Sequence, residues 1–570
     1  MTVPDAALGY AGGMETLPQI LAHGVRTFGE RVALRTHGDA DASGYTYRQL
    51  GTHAAAVAQR LEGRGVTRGT PVALLCENRP EWAVAYFAIH LRGAVCVPID
   101  TRLKSAEIRG ILARSRARLF LVSHPLSLAA DDAAHGLENV AVARIEDLLG
   151  KVDAGSSPPS PQDAVSDVTG DDVAVLSFTS GTTGASKAIV LTHRNLASNA
   201  VAGTRWMDVG PDDRLVSILP LNHLFEQTAG LLIPLIVGAS VTYPGSLNPR
   251  TILDAMRSSQ ATLILMVPAM ARLLRKRILS GLASQPRWKQ RLFHAGRRMA
   301  PAARRIGLRL DRLLFREVHR AFGGHMRFFI CGGAPLDPRL AQFFSQLGLP
   351  ILEGYGLSEA APIVSCNTLT NYTLGSVGKP LPGVEVTIRA PDGPGEAVGE
   401  ICVRGPNVMA AYFEDAEATA DVLQDGWLAT GDLGRVDAGG YLYIVGRLKD
   451  VIVSESGKNV YPAEIEAEIA LCPHVRETCV LGVCTGDGAG VDEEIVALVA
   501  VDDEAPGPEH AATYEDLLRD EIREACSRLA DYKRPKRFGV WPGEFPRTTT
   551  LKVRKHEVRN SLGEVTLLPL

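Results

Sequence analysis

The sequence contains no C-x-x-C pair, and its nine cysteines are odd in number. Both facts argue against a disulfide framework or a zinc site. Cysteines such as Cys76, Cys96, Cys331 and Cys484 are therefore expected as reduced core residues of a cytoplasmic protein. No apolar run reaches the ~20 residues of a membrane-spanning helix. The longest, TAGLLIPLIVGASV from Thr228, has 14 residues, contains Pro234 and reads as a core segment. A basic segment followed by an apolar core, the mark of a secretory signal, is also missing at the N-terminus. Nor is there a basic excess: the net charge of -4 and pI near 6.4 argue against nucleic acid as a partner. No low-complexity block collects the 56 glycines and 34 prolines. At 570 residues the chain is too long for one compact core, so two or more folding units are expected.

What is present is an alternation of helical and strand-like patterns. VALLCENRPEWAVAYFAIHLRGAVCVPI reads as strand, turn, helix, strand, a parallel βαβ unit. Residues 117–123, 173–180, 262–268 and 326–333 are further strands. The segment 151–170, rich in Ser, Pro, Asp and Gly, is a loop. Short β-like runs between Gly and Pro turns mark a small β subdomain at about 375–445. Residues 449–570 read as a separate α+β unit, with helices at PAEIEAEIALC and YEDLLRDEIREACSRL and strands at ETCVLGV and EEIVALVAV. One segment is unusual. Residues 286–320 hold eleven Arg or Lys and two acids, Asp311 and Glu317, with leucines interleaved. It is either a solvated helix face or a surface that touches anionic lipid.

The strongest local signal is Thr179-Ser180-Gly181-Thr182-Thr183-Gly184-Ala185-Ser186-Lys187. Glycines let backbone N–H groups approach an anion, while hydroxyls and a lysine add donors and charge, which suits a polyphosphate. The glycine-to-lysine spacing differs from that of the G-x-x-x-x-G-K-[ST] loop. Further motifs follow in order: Leu219-Pro220-Leu221-Asn222-His223, Gly332-Gly333-Ala334-Pro335, and Glu353-Gly354-Tyr355-Gly356-Leu357-Ser358-Glu359. After them come Gly399-Glu400-Ile401, Thr430-Gly431-Asp432, Gly446-Arg447-Leu448-Lys449-Asp450, and Pro546 through Lys552. Taken singly, each has a plain structural explanation: Asp432 could cap a turn, Glu359 a helix, and Lys552 could be solvated surface.

As an ordered set these motifs resemble the adenylate-forming enzymes: acyl-CoA synthetases, firefly luciferase and peptide adenylation domains. The resemblance implies an α/β fold. It has a large N-terminal domain, 1–448, of doubly wound parallel sheets with the β subdomain, and a small mobile α+β domain, 449–570, hinged at Lys449. It implies ATP, Mg²⁺ and coenzyme A, and a small-molecule carboxylic acid as substrate. Lys187 and the 179–184 loop would hold phosphates and Glu359 the magnesium. Gly333, Ala334, Pro335, Glu353, Gly354, Tyr355, Gly356 and Ser358 would line the nucleotide. Asp432 and Arg447 would meet the ribose, and Lys552 would bridge carboxylate and α-phosphate. Gly457 and Lys458 would shape the coenzyme A tunnel. His223 sits in an apolar run, where a histidine is usually a satisfied core residue; in the family the matching position lies at the acyl pocket, which implies a gating or positioning role.

HLFEQ, the basic segment and SGKNVYPAEIE together look most like long-chain fatty acyl-CoA synthetases, with a homodimer left open. Three positions depart from the family: Ser186 for Pro, Ala188 for Gly after the lysine, and Leu551 for Gly before Lys552, although long-chain members often carry Leu there. Other readings stay open. One is a ligase for a bulky natural-product acid that performs mainly the thioester-forming half-reaction. Another is a luciferase-like oxygenase, and a third a non-catalytic nucleotide- or lipid-binding protein.

Overall fold

The computed structural model describes residues 13–38, 44–150, 167–179, 187–305, 310–389, 398–453, 458–484, 493–501, 511–547 and 552–570. The chain divides into two compact units. The first is built from the chain up to Thr179 with Lys187–Val386 and Val403–Leu428; the second contains Thr387–Cys402 and Ala429–Leu570.

The first unit holds two large sheets. One runs, in spatial order, Ala411–Tyr412, Lys187–Thr192, Val173–Thr179, Val95–Pro98, Pro71–Leu75, Leu119–Val122, Ala141–Arg144. Its last five strands are parallel. The expected βαβ unit is there: Pro71–Leu75 and Val95–Pro98 are parallel neighbours joined by the helix Pro80–Leu91. That helix is buried on every side beyond Glu81, as its run of apolar residues from Trp82 to Ile89 requires. Val173–Thr179 runs parallel to Val95–Pro98 on one side, and the strand after it returns antiparallel on the other. The second sheet has nine strands, six of them parallel, including the expected Leu263–Met266 and Phe328–Cys331 and, next to them, Ile351–Gly356. Helices packed on its face share a core with Ile264, Met266, Phe329 and Ile351.

The 14-residue apolar run is largely buried and is helical up to Val237, its end entering the strand Ser240–Tyr243. Glu226–Leu232 is wound as a π-helix and Ile233–Val237 as an α-helix. Among the described residues no helix is long and apolar enough to cross a membrane. The eight cysteines whose side chains are described are free and buried.

Short strands at Glu385–Arg389, Gly399–Arg404, Trp427–Val436, Leu423–Gln424 and Leu442–Arg447 form a small sheet. In the second unit, Val475–Cys484, Glu493–Val501, Arg537–Val540 and Leu568–Pro569 form a four-stranded sheet. Alternate residues of Glu493–Val501 serve two cores. Ile495, Ala497 and Val499 meet the helices Pro462–Ile469 and Ala511–Cys526, while Val496, Leu498 and Ala500 meet Trp541, Phe545 and Val558. The period of two puts successive side chains on opposite faces, and both faces are covered.

Candidate active site

The first group of site residues is assembled by strand pairing. Lys187 opens the strand Lys187–Thr192, which pairs with Ala411–Tyr412 so that Tyr412 lies opposite Ile189. The Lys187 Nζ stands 4.6 Å from the centre of the Tyr412 ring. The Tyr412 hydroxyl donates to Glu359 Oε1 at 2.9 Å. Burial and the neighbouring carboxylate hold that hydroxyl above its ordinary pKa, so it stays protonated and donating. Glu359 itself stands on a short 3-10 turn, Ser358–Ala360, directly after the strand Ile351–Gly356. Gly356 at the end of that strand must lack a side chain, since a Cβ would lie 1.9 Å from the Pro362 carbonyl oxygen.

One helix braces this group. Thr192 caps His193–Trp206 with a reciprocal capping box to Asn195. Asn195 Nδ2 donates to the carbonyls of Pro406 and Val408, both at 2.8 Å. Asn199 donates to the Ile363 carbonyl at 2.7 Å and accepts from its N–H at 3.1 Å. The segments that carry Glu359 and Tyr412 therefore hang on the same helix.

A second group surrounds His223. Its Nε2 faces Asp100 Oδ2 across 3.3 Å. Asp100 follows the strand Val95–Pro98, is buried, and is also gripped by Arg102 at 2.9 Å. Burial pushes its carboxyl up, but bonds from His223 and Arg102 outweigh this and hold it below the usual carboxylate range. Asp100 thus stays ionised and can fix the His223 ring.

The third group joins three sequence motifs. Phe225, two residues beyond His223, lies 3.3 Å from where a Cβ on Gly332 would be, and the Gly354 carbonyl lies 3.6 Å from the same point. Gly333, with φ +86°, and its neighbours Ala334 and Pro335 are exposed at the end of Phe328–Cys331. Tyr355 and Ser358 are half-buried. Glu353 is buried, its Oε1 without a hydrogen-bond partner, and burial with the nearby Asp337 carboxylate pushes its pKa up to about 8.

In the second unit, the hairpin pairs Asp432 with Arg447, and Arg447 Nε stands 3.0 Å from the buried Asp432 carboxylate. Thr430 Oγ1 donates to the Ile401 carbonyl at 2.7 Å, and the Gly431 N–H donates to Glu400 at 3.0 Å. Three separate motifs meet here. Lys449 is exposed on the turn Leu448–Asp450. Lys458 and Lys552 are not part of this group. The Lys458 ammonium lies 4.5 Å from the Tyr532 ring centre, and Lys552 is exposed beside the Arg547–Val553 bridge. Ser180, Gly181, Thr182, Thr183, Gly184 and Gly457 lie outside the described residues, as does the side chain of Thr179.

A hard cation fits the first group. Among the described residues no cluster of three or more His, Cys, Asp or Glu could hold a metal. Magnesium that keeps waters and phosphate oxygens needs only one or two carboxylates, and Glu359 retains acceptor capacity beyond its bond from Tyr412. Sequence reasoning missed Tyr412 and Asp100. Asp100 follows the carboxyl end of a predicted parallel strand, where α/β sheets place ligands, so it had a signal. Tyr412 had none.

The sequence model of the family described as AMP-binding enzyme matches residues 21–413. A feruloyl-CoA synthase from an Amycolatopsis species is 33% identical over 526 residues, covering 91% of this chain and 94% of that protein. A long-chain-fatty-acid–CoA ligase from Mycobacterium bovis is 30% identical over 549 residues, covering 88% of each. The structure of O-succinylbenzoate coenzyme A synthetase from Bacillus subtilis, in complex with ATP and magnesium ion, superimposes with a TM-score of 0.74 at 26% identity, covering 95% of this chain and 99% of that one. The match over most of the chain, and the ordered motifs that the fold gathers into these groups, make the protein a member of the AMP-binding enzyme family.

Proposed function

We propose that this protein is an AMP-forming acid–thiol ligase that joins a carboxylic acid to coenzyme A through an acyl-adenylate. The observation that carries this reading is the cluster of Lys187, Tyr412 and Glu359, a cation and a hard oxygen donor fixed on one buried tyrosine. A carboxylate is a poor electrophile because a charged oxygen leaves badly. Attack of its oxygen on the α-phosphorus of ATP expels pyrophosphate and leaves a mixed anhydride with a good leaving group. Charge must be neutralised throughout, and preorganised cations in a dry site do this best.

In this reading Lys187 and the 179–184 loop hold the β- and γ-phosphates, and Glu359 holds Mg²⁺, which supplies charge neutralisation when bound. Gly333 to Pro335, Glu353, Gly354, Tyr355 and Ser358 line the nucleotide, and Asp432 with Arg447 takes the ribose hydroxyls. Lys552 bridges carboxylate and α-phosphate. His223, oriented by Asp100, positions the acyl group. The segment 449–570 then turns about Lys449, and Gly457 and Lys458 shape the passage for the coenzyme A thiol, which attacks the acyl carbonyl as AMP leaves. Ala188 is buried opposite Phe178 in the strand ladder, so its methyl is accommodated without displacing Lys187 from the cluster.

The proposed acid is a long-chain fatty acid, in keeping with the Mycobacterium bovis relative. A second reading, a bulky aromatic acid, is favoured by the 33% identity to a feruloyl-CoA synthase. The free cysteines suit a cytoplasmic location. Pyrophosphate release with ATP and Mg²⁺ over fatty and aromatic acids, with acyl-CoA followed by mass spectrometry, tests all of this. Release with one class names the substrate. Acyl-CoA formed only from a chemically made acyl-adenylate would reject the adenylation step.

A further inference from the structure

The helix Arg287–Arg305 has two outward rows that the reaction does not use. Trp288, Leu292 and Met299 form an apolar row, 63%, 50% and 59% exposed. Arg287, Arg291 and Arg298, each one position earlier, form a cationic row and are exposed as well. Spacings of four and seven residues keep each row on one line of the helix, and the offset of one residue sets the rows side by side. The opposite side is already occupied: Phe293 and Ala300 pack into the core beneath the second sheet. Nearby, Leu313 is 70% exposed and Leu273 47%.

The charge on this surface is not neutralised locally. The two acids of the segment are taken by other cations, Glu317 by Lys289 at 3.5 Å and Asp311 by Arg304 at 2.5 Å. Among the described residues no carboxylate pairs with Arg287, Arg291 or Arg298. Eleven cations against two acids between 286 and 320 stand in a chain whose net charge is -4, so the basic character is concentrated here.

We infer that this helix is a docking surface for an anionic lipid bilayer, with the apolar row at the acyl boundary and the arginines at the phosphates. A helix with one cationic face and one Trp- and Leu-bearing face lies in the interface plane in this way. A second copy of the chain fits poorly, because a twofold contact would set the arginine rows against each other. A nucleic acid would use the arginines but has no need of three exposed apolar side chains. The docking does not depend on which acid is activated, although a membrane-partitioned acid would be met at its source.

The test uses the full-length protein and vesicles of phosphatidylcholine with and without phosphatidylglycerol. Cosedimentation is expected with the anionic vesicles, weakening as salt is raised. The triple change Arg287→Gln, Arg291→Gln, Arg298→Gln should lower the partition coefficient on the order of 100-fold, since each cation near an anionic surface contributes several-fold. The triple change Trp288→Ala, Leu292→Ala, Met299→Ala should weaken it too, and Trp288 emission should be quenched by brominated lipid. Both variants alter exposed side chains and should keep the wild-type unfolding midpoint, which separates lost docking from lost folding. Equal binding to neutral vesicles, or no binding to anionic ones, would overturn the inference. So would full binding by the apolar variant together with loss in the arginine variant; that pattern describes a polyanion site.

Discussion

The two compact units carry their candidate charges in different ways. In the first, Lys187 and Glu359 converge on a buried tyrosine, and the segments around them are pinned by asparagines of one helix. In the second, Asp432 and Arg447 are locked together across a hairpin, but Lys552 stands exposed beside an isolated bridge. Groups that grip a substrate through every step gain from being fixed in advance. A group needed for one step only can sit on an open surface and be brought in when required. On the proposed function the contrast is a division of labour, in which the first unit would hold the polyphosphate and Lys552 would serve adenylation alone.

The sharpest way to break that comparison is Lys552→Ala. Pyrophosphate release should fall roughly 100-fold or more, the scale of removing one preorganised charge partner from a transition state. Acyl-CoA formation from a supplied acyl-adenylate should stay within a few-fold of wild type. Equal losses in both half-reactions would mean that Lys552 is not specific to one step, and the division would fail. Glu359→Gln comes next. It should cost about 100-fold in adenylation at low Mg²⁺ and recover in part as Mg²⁺ is raised. A loss indifferent to Mg²⁺ would remove Glu359 from the metal site.

Tyr412→Phe refines the picture within the first unit. It keeps a ring beneath Lys187 but deletes the donor to Glu359. Orienting partners of a metal ligand are typically worth 10–100-fold in metal affinity or activity, so a rise of roughly tenfold in the Mg²⁺ concentration for half-maximal rate is expected. An unchanged Mg²⁺ dependence would reduce Tyr412 to packing.

Much of the architecture was legible because its strands are continuous apolar runs closed by turns, as at Val173–Thr179 and Phe328–Cys331. The apolar run from Ile495 to Val501 within Glu493–Val501 likewise announced a strand. What escaped notice was set by tertiary pairing. Ala411–Tyr412 is a two-residue strand that exists because a distant strand accepts it, so Tyr412 had no local pattern to betray it. Asp100 and His223 lie far apart in the chain and meet only when the strand ending at Pro98 is in its sheet. The π-winding of Glu226–Leu232 is equally silent in a run whose apolar residues read simply as core.

That π-helix supplies the smallest and most specific prediction, because burial in the first unit has a titration consequence. Glu226 is fully buried, and burial pushes its pKa up to about 8 against the opposing Ser217 hydroxyl. In the unfolded chain a glutamate titrates near ~4.3. Between these values the folded state keeps a proton that the unfolded state releases. Stability from this group is therefore full below about 4.3, declines as pH rises and is lost above about 8. Buried histidines act in the opposite sense: burial brings His193 down to about 4, so its contribution is lost on the acid side. Raw profiles mix these slopes, and the difference between wild type and Glu226→Gln isolates the carboxyl. The variant's thermal midpoint should gain on wild type steadily from pH 5 to pH 8, with adenylation near neutral pH changed little. A difference that is flat across that range would show that Glu226 is ionised in the folded protein, paired by a group that the burial argument does not include.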